Sequence, residues 1–121
     1  IAEQIAKDNN CLALVTGESI GQVASQTSDA LVVTDAAVTL PVFRPLIGFD
    51  KQEIITISEK IDTYETSILP YEDCCTVFTP KHPRTKPKLY MLEEAEQALD
   101  IDALVQDALD NTKFIMIDNF R

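Results

Sequence analysis

Tryptophan is absent from the 121 residues, and glycine occurs only three times. That scarcity goes with the lack of any glycine-rich phosphate loop: neither GxxxxGK[ST] nor GxGxxG is present. Basic residues number ten against twenty acidic ones, a formal net charge of −10. Such a balance argues against broad electrostatic wrapping of nucleic acid or of an anionic membrane, while leaving room for a local basic site. No apolar run approaches the ~20 residues of a membrane-spanning helix. The opening stretch, IAEQIAKDNN, lacks the charged-then-apolar order of a signal peptide. What remains, 45% hydrophobic and 25% charged, is an ordinary globular composition, and its length suits one domain.

Cysteine is also sparse, at Cys11, Cys74 and Cys75. An odd number with a vicinal pair makes a poor disulfide framework, because bridging neighbours closes a small, strained ring. A reducing, cytoplasmic setting is therefore expected. Cys11, at the head of the apolar run CLALV, is expected to pack. The chain opens at Ile1 and already in a helical pattern, so the expectation is a piece that starts inside a larger domain.

Periodicity points to an α/β fold. Residues 11–15 suit a buried parallel strand. Ile20, Val23, Ala24, Thr27 and Leu31 fall at helical spacing over 20–31. Val32-Val33 and Val42-Phe43 suggest two extended pieces. Asp50 three residues before Glu53 makes a capping-box start, with Ile54, Ile57 and Ile61 on one helix face. From 62 to 88 the chain is broken by Pro70, Pro80, Pro83 and Pro87, an irregular length that a compact domain keeps mainly for function. Pro87 then suits an early helical position. Leu89, Leu92, Ala95, Ala98 and Leu99 line one helix, and Asp100 or Asp102 caps another with Ile101, Leu104, Val105, Ala108 and Leu109 inward. Residues 113–117, KFIMI, read as a last strand or a linker. Strand–helix alternation of this kind implies a parallel sheet.

Three constellations could carry chemistry. The first, Thr16 to Gln22, lies between a strand and a helix, where open α/β sheets bind ligands and where Gly17 lets a ligand approach the backbone. Gly17-Glu18-Ser19-Ile20-Gly21 also spells a G-x-S-x-G nucleophile elbow, with His82 downstream as the only histidine. A serine hydrolase is disfavoured by the short chain and by the absence of an HGGG-like oxyanion loop. The second is Tyr71-Glu72-Asp73-Cys74-Cys75, which could present a reactive thiol. Glu72 and Asp73 would raise a thiol pKa there, and Lys81, His82, Arg84, Lys86 and Lys88 would lower it if the loop folds back. Zinc is a rival, although adjacent cysteines chelate one ion poorly, and a buried small hydrophobe is the plain reading. The third runs from Pro80 to Lys88. It holds Lys81, Arg84, Lys86 and Lys88, four of the ten basic residues, and suits either phosphate contact or a solvated loop.

LVTGESIGQVASQT (14–27), RPLIGFDKQEII (44–55) and PYEDCCTVFTPKHPRTKPK (70–88) together resemble one family. It is the tRNA 4-thiouridine synthetases, also called thiamine biosynthesis sulfurtransferases. The resemblance implies a Rossmann-like, adenine nucleotide alpha hydrolase-type parallel sheet, here the C-terminal portion of a PP-loop ATP-pyrophosphatase domain. It implies that ATP, with Mg2+ in the full-length protein, adenylates uridine 8 of tRNA before sulfur replaces the oxygen. Persulfide sulfur would come from a cysteine desulfurase, and a sulfur-carrier protein would link the same chemistry to thiamine thiazole synthesis. Carried over, Gly17 and Gln26 fall on nucleotide-binding positions and Cys74 on the sulfur-transferring cysteine, with Cys75 its ambiguous neighbour. No metal ligand is implied among this chain's residues. The family's SGGxDS loop and its tRNA-gripping domains are missing, so the piece alone is expected to be inactive. A non-catalytic nucleotide- or protein-binding module of the same fold is the competing reading. Asp62 stands where the family favours Ile-Gly-Thr, so a different turn is expected there. A split sheet leaves an open edge, from which a homodimer is expected.

Overall fold

The computed structural model describes residues 1–21, 26–71 and 85–117. Helix α1 (Ala2–Asp8) ends where Asn10 turns left-handed at φ 58. The Asn10 amide donates to the Lys7 carbonyl at 3.1 Å and the Cys11 amide to the Ala6 carbonyl at 2.8 Å. This is the Schellman closure, and asparagine tolerates the left-handed region better than most side chains do. Strand β1 (Leu14–Val15) follows, shorter than the expected 11–15. Cys11 is exposed instead of packed, because the ladder begins only after it.

Strand β2 (Val42–Phe43) pairs parallel to β1, with Leu14 opposite Val42 and Val15 opposite Phe43. The Leu14 amide donates to the Pro41 carbonyl and the Thr16 amide to the Phe43 carbonyl, extending the ladder at both ends. Parallel neighbours need a crossover, and helix α2 (Ser28–Ala36) lies within it. Val32 and Val33, expected to be extended, are helical. The Thr27 hydroxyl accepts from the Ala30 amide at 3.2 Å and starts the helix there. A well-made cap and packing outweigh the weak strand preference of two valines.

Asp50 and Glu53 form the predicted capping box of α3 (Lys51–Lys60). The helix closes through Asp62 at φ 57, whose amide donates to the Glu59 carbonyl while the Thr63 amide reaches the Ser58 carbonyl. The departing turn at Asp62 is thus a second Schellman closure, with aspartate where glycine is favoured. Helix α4 (Tyr64–Ser67) follows at once. Helix α5 (Leu89–Glu96) is capped at Lys88, so Pro87 precedes it, and Ala98 and Leu99 lie past its end. Asp100 caps α6 (Ile101–Asp110) by accepting from the Ala103 amide at 3.1 Å. Val105, Ala108 and Leu109 are half-buried, whereas Ile101 and Leu104 are exposed. Residues 112–117 take neither helix nor strand.

Helix α1 packs on β1, α2 on α5, and α3 on α4. The arrangement is α/β, as the alternation implied. Among the described residues Ala6 and Ser19 alone are buried, and no side chain is fully enclosed. Val15 and Phe43 stand exposed on the strands, where a parallel sheet is ordinarily covered on both faces. Two strands of two residues cannot supply a self-sufficient core. No described helix is long and apolar enough to cross a membrane.

Candidate functional site

Both strands run in the same direction, so the segments leaving Val15 and Phe43 emerge at one edge of the sheet. The carboxyl ends of parallel strands are where open α/β sheets receive ligands. Thr16 to Ser19 leaves β1 there, and Arg44 follows β2 directly. The Arg44 Nε donates to Glu18 Oε2 at 2.6 Å, and its Nη2 donates to Asp35 Oδ1 at the end of α2, also at 2.6 Å. The Thr16 hydroxyl donates to the same Glu18 oxygen at 2.8 Å. One half-buried guanidinium therefore ties the outgoing loop, the helix end and the second strand together. Partial burial by itself pushes the Glu18 carboxyl up, but the bonds from Arg44 and Thr16 overcome it and hold the pKa below the ordinary carboxylate value. Bonds to Asp35 and Glu18 raise the already high pKa of Arg44.

Within this frame Gly17 is exposed, and a Cβ added to it would meet nothing within 4 Å. The neighbouring Glu18 carboxylate is compensated by Arg44. Ser19 turns inward, 3% exposed, and its hydroxyl donates to the Phe49 carbonyl at 3.1 Å. A hydroxyl so buried is not a presented nucleophile, which removes the structural basis of the serine-hydrolase reading. Next, Gly21 adopts φ 84 and its amide donates to the Gln26 carbonyl at 2.9 Å. That bond returns Gln26 to the loop that begins at Thr16, just before the Thr27 cap of α2. Gln26 is thus tied to Gly21, four residues beyond Gly17.

Cys74, Cys75 and His82 lie outside the described residues. Thr85, the first described residue after them, is fixed by its carbonyl, which accepts from the Thr27 hydroxyl at 2.9 Å across 58 positions. Lys88 then pairs with Asp29 at 2.8 Å. The pairing lowers the Asp29 pKa and raises that of Lys88, mainly through their mutual hydrogen bond. Among the described residues no cluster of histidine, cysteine or carboxylate could hold a metal ion.

Sequence reasoning passed over Arg44, Asp35, Thr27 and Asp29. For Arg44 a signal existed: a cation directly after one apolar pair, matched to an acid, Glu18, three residues past the other strand. Thr27 and Asp29 gave none, because their partners are distant in sequence.

The parallel strand pair with its crossover helix defines this chain as a partial α/β fold of the Rossmann-like class. Its sequence matches the family model described as thiamine biosynthesis protein (ThiI) over residues 1–101, and the chain belongs to that family. It is 61% identical, over 97% of its length, to a probable tRNA sulfurtransferase of Acetivibrio thermocellus, covering 30% of that protein. A probable tRNA sulfurtransferase of Alkaliphilus oremlandii is 64% identical over 91% of this chain, with 28% of its own length covered. Among solved structures, a 4-thiouridine synthetase–RNA complex with bound ATP superposes with a TM-score of 0.85 at 46% identity, over 93% of this chain and 29% of that one. The chain therefore spans about 30% of the length of these relatives.

Proposed function

We propose that this chain is the C-terminal portion of the PP-loop domain of an ATP-dependent tRNA sulfurtransferase, acting within an intact cytoplasmic protein that makes 4-thiouridine at uridine 8. The observation that carries the reading is the match to a 4-thiouridine synthetase solved with bound ATP. The loop after β1, which holds Gly17 at the strand edge and bonds the Gly21 amide to the Gln26 carbonyl, supports it. In this reading Gly17 and Gln26 would contact the nucleotide, and Mg2+ would supply charge neutralisation of its phosphates. ATP supplies activation, turning the uracil O4 into a leaving group with release of pyrophosphate.

Cys74 carries the sulfur as a persulfide obtained from a cysteine desulfurase. Its outer sulfur attacks uracil C4 and AMP departs with the oxygen, leaving a cysteine–sulfur–uracil disulfide link. A second thiol, for which Cys75 is our candidate, attacks Cys74 Sγ. That breaks the S–S bond, frees 4-thiouridine, and leaves a transient vicinal disulfide, whose ring strain makes it readily reduced by an external thiol. The same persulfide serves a sulfur-carrier protein of thiamine synthesis.

The test is made on the intact protein. Cys74→Ala should abolish 4-thiouridine formation while ATP affinity stays unchanged, and Gln26→Ala should weaken ATP binding by about tenfold, the loss of one good polar contact. Continued thiolation by Cys74→Ala would remove that cysteine from the pathway. Unchanged ATP affinity in Gln26→Ala would remove Gln26 from the site.

A further inference from the structure

Among the described residues Ser19 is the one buried polar side chain, and the proposed reaction gives it no task. Its hydroxyl donates to the Phe49 carbonyl at 3.1 Å, across 30 positions. Its two neighbours bond to the same stretch: Glu18 accepts from the Arg44 Nε at 2.6 Å, and the Ile20 amide donates to the Ile47 carbonyl at 3.2 Å. Consecutive residues of the loop after β1 are thus fastened, one after another, to the turn after β2. That turn is itself tied. The Ile47 amide donates to the Arg44 carbonyl and the Phe49 amide to the Leu46 carbonyl, both at 3.1 Å. Pro45 stands directly after Arg44, the position in a four-residue turn that its fixed φ suits. Phe49 then leads into the Asp50 cap of α3. Held by β2 on one side and α3 on the other, the turn is a fixed wall for the loop beside it. Glu18 is half-buried and Ile20 exposed, so water competes for their bonds more easily than for that of Ser19.

We propose that Ser19 is a positioning residue for nucleotide binding: its buried hydroxyl docks the loop after β1 onto the 44–49 turn and so fixes the backbone at Gly17. This rests on the reading of Gly17 as a nucleotide contact. Gly17 has no side chain with which to anchor itself. Its placement depends on Thr16, whose amide donates to the Phe43 carbonyl at 3.0 Å, and on Ser19 two residues further on. A loop held in its binding shape beforehand has less ordering cost to meet when the ligand arrives. Ser19 is assigned no contact with substrate.

The test uses the intact protein and two variants. Ser19→Ala removes the donor, and Ser19→Cys keeps nearly the same shape with a weaker one. In Ser19→Ala, hydrogen exchange at the Ile20 amide should accelerate by about tenfold while the amides of α3 keep their protection. The ATP dissociation constant should rise by about tenfold. Thiolation at saturating ATP should stay within about twofold of wild type, so that KM and not kcat carries the loss. Ser19→Cys should show the same pattern at about threefold. Ala6→Gly, at the other buried residue, lowers stability away from the loop, and its ATP affinity should stay within about twofold of wild type. Unchanged Ile20 exchange in both Ser19 variants would overturn the docking. An equal loss of ATP affinity in Ala6→Gly would overturn the positioning role, because general destabilisation would then account for it. Wild-type ATP affinity in both Ser19 variants would overturn the inference as well. A loss in Gly17→Val beside it would leave the nucleotide reading standing, whereas full affinity in Gly17→Val would remove that reading too.

Discussion

Glu18 and Arg44 meet at 2.6 Å from the ends of two different parallel strands. The pair converts two short loops into one frame, and Asp35 adds the end of α2 to it. Charge pairing thus helps to set the shape of this edge, where Val15 and Phe43 are exposed. Removing Arg44 leaves Glu18 and Asp35 facing each other without a counter-ion.

Arg44→Gln should accordingly loosen the loop, because it leaves charged hydrogen-bond partners unmet. Titration calorimetry on the intact protein should find ATP binding weakened by about tenfold. Arg44→Lys should recover only part of it, because an ammonium cannot reproduce the planar fork that reaches two carboxylates. Full binding by Arg44→Gln would show that the frame is dispensable.

Glu3 supplies an acid-sensitive link. Its carboxylate accepts from the Thr39 hydroxyl, from the Thr39 amide at 2.9 Å and from the Leu40 amide at 3.0 Å. The Thr39 bonds hold its pKa at about 2, well below 4.5. A carboxyl with a depressed folded pKa adds stability above its unfolded pKa and loses it as the pH falls towards the folded one. Glu3→Gln should therefore lower the thermal midpoint at pH 6, and the gap to wild type should narrow steadily from pH 4.5 downward. A gap independent of pH would contradict the bonding pattern.

Asp62 occupies a left-handed position, at φ 57, that a side chain adopts at a cost. Asp62→Gly should raise stability by about 0.5–1 kcal/mol in urea unfolding, after the extra chain entropy of glycine is deducted. Asp62→Val should lower it, since β-branching is the least tolerated choice there. A loss of stability on introducing glycine would mean that the aspartate side chain has a role the closure does not require.

Among the described residues twenty large hydrophobics are exposed, Val15, Phe43 and the run Phe114–Ile117 included. Extensive bare apolar surface seeks cover. The 121-residue chain produced alone should bind the dye ANS and self-associate in light scattering. A monodisperse monomer without dye binding would show that the chain closes its own surface.

The parts legible in the sequence were those fixed by neighbours. Asp50 with Glu53 announces α3, and Asp100 announces α6, because a cap is written within a few residues. The parallel pairing was legible from alternation, and the loop after β1 from its place between strand and helix. Val32 and Val33 misled because their local preference is small beside the cap at Thr27. Cys11 misled because position in an apolar run does not fix burial when the strand starts later. Arg44, Asp35 and the Thr27–Thr85 bond act between residues distant along the chain, and such pairings become visible only once the strands are laid side by side.

The frame of Glu18, Asp35 and Arg44 spans 26 positions, whereas the bond from Thr27 reaches 58 positions ahead. A growing chain leaves the ribosome from its amino end, and short-range units can form first. The loop at the sheet edge can thus be shaped during synthesis before either vicinal cysteine has emerged. Thr85 and Lys88 then arrive onto a helix start already made.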